Sequence, residues 1–332
     1  FEYGMPPRNN GDYAWLQQVA KSLKDDGKAI IVMSQGVLFR GQPEQTEEED
    51  GQNQKADAEY VIREGFIKAD IIECVIVLPS KLFYGNSVPG CLIILNRNKP
   101  ADRKNKILMI WASRHFQKAN PQNLLRPSDL MRILVPWRAF GDLAKAQELV
   151  TVHERQLLDE EEAERKRRLQ DIEDAYAPIL EPLAGLTAEL TTLETQDWKD
   201  AGFSKKADYT SRIKELKHQI KDLEKIQAER DKAEAEVNEH AERELAHIRE
   251  AAADLMRICS EPQEAARYFT VADRAEIEEN EFNLNLPRYV DTFEPEEEIP
   301  IEEALRSLTI AEEAARATRA TLHQLLGVLG EG

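Results

Sequence analysis

The sequence predicts an α/β fold that continues into a long antiparallel helical hairpin and a C-terminal helix. Apolar segments of strand length alternate with helical patterns early in the chain, which is typical of a sheet covered on both faces. From about residue 139 the composition turns to Ala, Glu, Lys, Leu and Arg, as in long helices. Residues 301–329 then place their leucines on one helical stripe, which implies a partner for that stripe.

The first part of the chain contains two predicted helices and four predicted strands. Apolar side chains recur at helical spacing in 12–24, with Asp12 as the expected N-cap. The second helix is expected at 57–69. Continuous apolar segments predict buried strands at 29–34, 71–78, 91–97 and 106–113. We expect the last two strands to pair as an antiparallel hairpin, because a short polar segment separates them.

Several features limit the class of protein. The polar segment 41–55 predicts a surface insertion, with a carboxylate metal site as the alternative. Cys74, Cys91 and Cys259 lack zinc-type spacing, so we expect no metal site, no disulfide framework and buried thiols. No signal peptide or apolar segment of membrane length occurs. These features favour a cytoplasmic protein without a membrane partner.

The charge of the chain is unevenly distributed. The formal net charge is −18, which on its own argues against a nucleic-acid partner. However, residues 1–150 contain 20 Lys+Arg and 18 Asp+Glu, and 81–138 contain 11 basic residues against two acidic ones. Two interpretations of that basic segment are open: an ordinary solvated face, or a cationic surface for a polyanion.

The second part of the chain is predicted to be an arm. Apolar stripes at 143–172 and 213–255 match in spacing, so we read 142–258 as a helical hairpin with its tip at 196–209. Pro178 and Pro182 are expected to interrupt the first helix. Prolines and an acidic cluster in 282–300 argue against long regular structure there.

The segment LPSKLFYGNSVPG, residues 78–90, connects two predicted buried strands. Turns favour Gly, Asn and Ser, whereas Phe and Tyr are mostly core residues. Two interpretations are open for the adjacent rings of Phe83 and Tyr84. They fold back as a hydrophobic plug, or they are held outward for a flat partner.

Four strings in this order carry a family resemblance. They are FEYGMPPRNNGDYAWLQ (1–17), GVLFRG (36–41), LPSKLFYGNSVPGCLIILNRNK (78–99) and ENEFNLNLPRYVDTFEPEEEI (279–299). Together they resemble the modification (methyltransferase) subunit of type I restriction-modification systems, an S-adenosylmethionine-dependent N6-adenine DNA methyltransferase. The resemblance covers roughly 1–138 and 267–300. It implies the second half of a Rossmann-like methyltransferase sheet with an antiparallel edge.

The resemblance also implies partners and a division of the chain. The partners are DNA, a specificity subunit that reads the target sequence, and a restriction subunit. The implied parts are the methyltransferase α/β half (1–138), the coiled-coil-like arm (139–266), a family-specific irregular segment (267–300) and a C-terminal docking helix (301–332). The arm is an insertion relative to typical members.

Site residues follow from the same resemblance. The 78–90 loop matches the family loop at the target-base pocket, so Phe83 or Tyr84 would stack on an extruded adenine. The implied target-base pocket consists of Phe83, Tyr84, Gly85 and Asn86. The implied DNA-backbone contacts are Lys81, Arg97, Lys99, Arg114 and His115, with a plain surface histidine as the alternative for the last. The implied subunit-docking residues are Arg288, Tyr289, Leu305, Leu308, Leu322 and Leu326.

The sequence also departs from the family. It contains neither a Gly-rich cofactor loop nor an Asn/Asp-Pro-Pro-aromatic motif; in MPPR, Met5 offers no amide and Arg8 no ring. We therefore expect that the sequence starts after its own catalytic residues and is inactive alone, with most of the S-adenosylmethionine pocket upstream. No catalytic residue is assigned to this chain. The alternative is a non-enzymatic assembly module that presents the helical arm to partner subunits.

Overall fold

The computed structural model describes residues 1–46, 53–54, 56–291 and helical positions between 305 and 319. The chain forms two units, Phe1–Thr292 and Phe293–Gly332, which are described separately. Mixed α/β structure with long helices confirms the coarse fold class. The elements of the first unit are α1 (Asp12–Ser22), β1 (Lys28–Ser34), β2 (Gln45–Thr46), β3 (Asn53–Gln54), α2 (Ala58–Lys68), β4 (Ile72–Val77), β5 (Gly90–Asn96), β6 (Lys106–Trp111), α3 (Pro127–Ala139), α4 (Leu143–Thr195), α5 (Lys206–Ser260), α6 (Pro262–Ala265), β7 (Phe269–Asp273) and α7 (Arg274–Glu279).

Five strands form the main sheet in the order β1-β5-β4-β6-β7. β4 is central; it pairs with β5 antiparallel and with β6 parallel. All six residues of β4 are buried, and alternate side chains enter two different cores. One core lies beneath α1 and α2, and the other lies beneath α3 and the adjacent ends of α4 and α5. Apolar side chains on both sides of β4 explain its continuous apolar sequence.

The predicted hairpin between the third and fourth strands is wrong. β4 lies between β5 and β6, so the connecting segment 97–105 crosses the end of β4 instead of making a tight turn. Asp70, just before β4, holds this crossing. Its carboxylate accepts from Lys99 Nζ at 2.6 Å and from the Asn105 backbone at 3.0 Å. The true hairpin is β4–β5, and its connection is the aromatic loop 78–89.

Two further strands differ from the sequence prediction. β1 is an edge strand with alternating burial, and Ile30 and Val32 are 58% and 53% exposed. The expectation that both faces are covered is therefore wrong at this edge. β7 lies inside 267–300, the segment expected to be irregular, and pairs antiparallel with β6. Its sequence FTVAD is short and only partly apolar, so periodicity did not reveal it.

α4 and α5 are 53 and 55 residues long and pack against each other. Contacts between Gln147 and Cys259 at one end and between Glu189 and Arg212 near the other show that the two helices run antiparallel. The expected interruption at the prolines does not occur. Pro178 and Pro182 both lie inside α4 on its exposed side, where water can solvate the freed carbonyls.

The structure also shows the state of the cysteines and part of the second unit. All three cysteines are free and buried, and burial raises the pKa of the Cys91 thiol to about 12. Among the described residues, no group of side chains could hold a metal ion, and none of the helices has the length and apolar character needed to cross a bilayer. In the second unit, Leu305 and Leu308 are helical and more than half exposed. Leu322 and Leu326 fall outside the described residues.

We predict that Asp70→Asn lowers the free energy of unfolding by about 3 kcal/mol, because it leaves the buried Lys99 ammonium without a counter-charge. The Lys99 side chain is 2% exposed. Urea unfolding followed by circular dichroism measures the change. Asp25→Asn, an exposed site on the loop before β1, is the control and should change stability by less than about 0.5 kcal/mol. Equal stability of the two variants would contradict the role given to Asp70.

Candidate functional site

The aromatic loop joins β4 to β5 and makes a tight turn at its tip. Gly85 adopts φ of 69°, a left-handed conformation that favours glycine. The Phe83 carbonyl accepts from the Asn86 backbone at 3.3 Å, and the Asn86 side chain accepts from the Val88 backbone at 2.9 Å. Gly, Asn and Ser therefore build the turn, while the two rings remain available to the surface.

The two rings differ in environment. Phe83 leans back on Gly90, where a Cβ atom would lie 3.0 Å from the ring. Gly90 is thus required by the close approach of this ring, which is 37% exposed. Tyr84 is 84% exposed. The plug interpretation fails for Tyr84, and Phe83 rests on the end of the sheet without entering the core.

A second segment, 117–125, lies against the start of the loop and is hydrogen-bonded to it. Asn123 is buried; its side chain donates to the Ser80 carbonyl and its backbone donates to the Lys81 carbonyl, both at 2.8 Å. Pro121 and Gln122 line a groove of about 290 Å³ together with the loop residues Lys81 and 83–87. Sequence reasoning missed Asn123, because an asparagine in a polar segment gives no signal that it is buried.

An ion-pair cluster lies at the same end of the sheet. Ser34 ends β1 and pairs with Gly90, the residue under Phe83. The guanidinium of Arg40 contacts the carboxylates of Asp12 and Glu59 and the Ser34 hydroxyl. Asp12 was expected to cap α1, but Gly11 occupies the N-cap position and the Asp12 carboxylate pairs with Arg40 instead.

The string GVLFRG now has a physical explanation. A Cβ on Gly36 would lie 2.5 Å from Arg40 Nη1, so glycine makes room for the guanidinium. Gly41 has φ of 85° and lies against the Tyr60 backbone, where a Cβ would approach to 2.9 Å. Asn10 also donates to Glu59, at 3.0 Å. The string therefore fixes Arg40 and its carboxylates beside the aromatic loop.

The basic segment 81–138 does not form one cationic surface. Four of its eleven cations pair with carboxylates: Lys99 with Asp70, Arg103 with Glu73 and Arg132 with Asp254 outside the segment, and Arg126 with Asp129 inside it. The three carboxylates from outside the segment offset three of its nine net positive charges. Lys81 is exposed at the loop and lines the groove.

Two implied DNA-backbone residues lie far from the loop. β5 runs from Gly90 beside the loop to Asn96, so Arg97 lies about 20 Å away at the opposite end of the sheet. Lys99 is buried near that end, where it donates to the Lys106 carbonyl in addition to its pairing with Asp70. These two residues are not available for a phosphate that lies beside the aromatic loop.

Arg114 and His115 contact a tyrosine of the segment before β7. The His115 ring stacks on Tyr268 with centroids 6.0 Å apart, and Arg114 Cζ lies 5.4 Å from the same ring. Burial, reinforced by the positive charge of Arg132, lowers the pKa of His115. A half-buried neutral imidazole is poorly suited to grip phosphate.

The implied docking residues also have positions. The Tyr289 hydroxyl donates to the Asn283 carbonyl, and the ring packs against the core beneath α1 and α2. Its pKa is raised by burial. Arg288 is exposed and contacts Asn280 at 3.4 Å. Tyr289 therefore braces the sheet, whereas Arg288 lies at the surface.

Comparison with known proteins finds a match over the part of the chain that contains the GVLFRG string and the aromatic loop. The family model of N-6 DNA methylases matches residues 1–164, which include the GVLFRG string and the aromatic loop. Residues 1–164 of the chain belong to the N-6 DNA methylase family. This match includes β1, β4, β5 and β6, together with the cluster around Arg40.

Individual relatives are similar to part of the chain. The type I restriction enzyme MjaVIII methylase subunit of Methanocaldococcus jannaschii is 36% identical over 158 residues, 46% of this chain and 24% of that protein. The type I restriction enzyme HindI methylase subunit of Haemophilus influenzae is 34% identical over 110 residues, 33% of this chain and 21% of that protein. The chain thus spans about a quarter of the length of these relatives.

Among solved structures, the chain is similar to the type I restriction-modification system methyltransferase subunit from Streptococcus thermophilus. Sequence identity is 30%, the TM-score is 0.34, and the match covers 40% of this chain and 25% of that one. The crystal structure of the EcoKI M protein gives 16% identity, a TM-score of 0.29 and coverage of 39% and 26%.

We predict that Asn123→Ala loosens the aromatic loop, because it removes the side-chain hydrogen bond to Ser80 and leaves a poorly solvated carbonyl. The expected loss is about 1–3 kcal/mol of local stability. Amide hydrogen exchange over 79–90 should accelerate roughly 5- to 150-fold in the variant. Gln117→Ala, an exposed position on the same segment whose backbone alone bonds to Leu124, should leave the exchange unchanged.

A second prediction concerns pH. Because the folded state lowers the pKa of His115, the unfolded state takes up the proton first, so stability decreases as pH falls below about 6.5. His115→Phe keeps the ring on Tyr268 and should lose less unfolding free energy than the wild type between pH 7.5 and 5.5. Urea midpoints at both pH values measure this. His247→Phe on α5 is the control, and identical pH profiles for the wild type and His115→Phe would refute the prediction.

Proposed function

We propose that this chain contributes the target-base part of a DNA adenine-N6 methyltransferase, the modification subunit of a type I restriction-modification complex. One observation carries the proposal. Tyr84 projects into solvent from a hairpin that Asn123 holds, within the part of the chain that matches the N-6 DNA methylase family. The names of its relatives support the assignment to type I systems.

The proposed role of Tyr84 follows from the chemistry of the substrate. The exocyclic nitrogen of adenine is paired inside the duplex, so an enzyme must extrude the base to reach it. An aromatic ring that stacks on the extruded base stabilises it by about 1–3 kcal/mol. Phe83 supports the loop through Gly90, and Tyr84 is the ring that meets the base. Gly85 and Asn86 shape the turn, and Lys81 supplies a nearby positive charge for the DNA backbone.

The family implies S-adenosylmethionine as the methyl donor, which supplies an electrophilic methyl group. The described residues at this end of the sheet do not fit a complete site for it. Asp12 and Glu59 are the carboxylates of the ion-pair cluster at this end of the sheet, and Arg40 engages both. No Gly-rich loop and no Asn/Asp-Pro-Pro-aromatic motif occurs in the sequence. We therefore propose that this chain alone transfers no methyl group.

The partners in the proposal are DNA, a specificity subunit and a restriction subunit. Arg288, Leu305 and Leu308 are proposed for contact with other subunits, because they are exposed. Leu322 and Leu326, which fall outside the described residues, are proposed from the family resemblance alone. The alternative is a non-enzymatic assembly module. Its support is that α4 and α5 occupy about a third of the chain, while the motifs that catalysis requires are absent from the sequence.

We predict that Tyr84→Ala lowers kcat/KM for methyl transfer by roughly 5- to 150-fold, the loss of one stacked ring. The assay measures tritiated methyl incorporation into adenine by the complete modification enzyme that contains this chain, together with its specificity subunit. Tyr84→Phe should retain most activity, since the ring remains. Affinity for nonspecific duplex should stay nearly constant, because phosphate contacts set it.

Val88→Ala serves as the matched control, because it removes another exposed apolar side chain from the same loop. Its activity should equal that of the wild type. If Tyr84→Ala is fully active, the target-base assignment is wrong. If the complete wild-type enzyme methylates no adenine while remaining folded, the assembly-module alternative is favoured.

A further inference from the structure

The far end of the arm carries a row of lysines on one face of α5. Counting along the helix, Lys214, Lys217, Lys221 and Lys225 recur at spacings of three and four, which places them on a common face. All four are exposed. We call them the distal lysine stripe; at 1.5 Å per residue it is about 16 Å long. The stripe lies outside the seam in which Leu216 and Ile220 are buried.

The charge of the arm changes sign along α5. Residues 199–225, from the tip through the stripe, contain eight basic and five acidic residues. The following residues 226–250 contain four basic and eight acidic ones. The cationic excess is confined to α5, because residues 181–197, in and just after the neighbouring α4, contain four acidic residues and no basic one, and two of these pair with Arg212 and Lys217. A polyanion would thus meet a favourable charge only on the face of α5 that carries the stripe. The chain's net charge of −18 conceals this separation.

Ion pairs within the stripe are of the weak, exposed kind. Lys217 contacts Glu194 of α4 at 2.7 Å, and Lys225 contacts Asp222 at 3.0 Å. The two lysine side chains are 57% and 64% exposed, so these pairs contribute little to stability. The ammonium groups can exchange such partners for phosphate at small cost.

The character of the stripe favours a nucleic acid over a protein. Protein interfaces depend on buried aromatic or apolar anchors. None of the exposed large apolar side chains of the described residues lies on α5. Evenly spaced ammonium groups without such anchors match a duplex, which presents about nine phosphate charges along 16 Å of axis.

We propose that the distal lysine stripe binds the sugar-phosphate backbone of duplex DNA, independently of base sequence. The inference rests on the proposed function for the identity of the partner and adds a second contact, remote from the Tyr84 loop. The arm then holds DNA by phosphate contacts alone. The specificity of methylation is unaffected by this contact, because phosphates carry no direct sequence information.

The test uses the whole chain and a fluorescent 30-base-pair duplex of arbitrary sequence. Fluorescence anisotropy from 50 to 200 mM NaCl gives the affinity and its salt dependence. Combined substitution of the stripe, K214Q, K217Q, K221Q and K225Q, should weaken binding by about tenfold or more at 100 mM NaCl. The slope of log K against log salt should become shallower by about 2 to 4. Glutamine has nearly the helix propensity of lysine, and circular dichroism checks that the helices persist.

The matched control replaces four exposed lysines elsewhere, K21Q, K24Q, K145Q and K166Q, and makes the same change in net charge. Its affinity and slope should stay close to the wild-type values. Equal weakening in both variants would reduce the effect to net charge and overturn the proposal. So would an unchanged stripe variant, or no duplex binding by the wild type at 50 mM salt.

Two further measurements separate the possible outcomes. A poly-glutamate peptide tests an acidic protein partner; stripe-dependent binding of that peptide with none of DNA would overturn the proposal. Val88→Ala, the loop control of the methylation assay, should bind like the wild type in the same anisotropy assay. A failed stripe experiment therefore leaves the Tyr84 methylation result intact, and a failed methylation experiment leaves the stripe result intact.

Discussion

The fold depends on the complete burial of β4. Every residue of this strand lies inside the protein, and its side chains alternate between two separate cores. A strand buried on both faces must be central, so its neighbours and both of its ends are constrained. At one end Asp70 and Lys99 hold the crossing between β5 and β6. At the other end the hairpin to β5 presents the aromatic loop.

Glycines and hydrogen bonds fix the backbone of the aromatic loop so that the Tyr84 ring is exposed to solvent. Gly90 allows the ring of Phe83 to rest on the sheet, Gly85 turns the chain, and Asn123 ties the start of the loop to a neighbouring segment. Gly36 makes room for Arg40, whose guanidinium fixes two carboxylates at the same end of the sheet. A stacking ring is useful only if its position is fixed before the base arrives, because ordering it later would cost free energy.

Charged residues are arranged differently near the sheet and along the helical arm. Near the sheet, three cations of the basic segment are paired with acidic residues from other parts of the chain. Along the arm, two long helices expose most of their side chains to water, and on α5 the excess charge is positive in 199–225 and negative in 226–250. Buried ion pairs near the sheet therefore act on stability, whereas the exposed charges of the arm act mainly on other charged molecules.

Sequence by itself determined the α/β class, the long helices and the importance of the 78–90 string. Periodicity and composition report local structure, and the four strings identified the family to which 1–164 belong. Only the tertiary structure decided that β4 lies between β5 and β6, that Lys99 is an internal ion-pair partner, and that Tyr84 rather than Phe83 projects outward. Each of these depends on residues distant in the chain meeting in space. Asp70 and Lys99, or Phe83 and Gly90, leave no periodic signal of their contact.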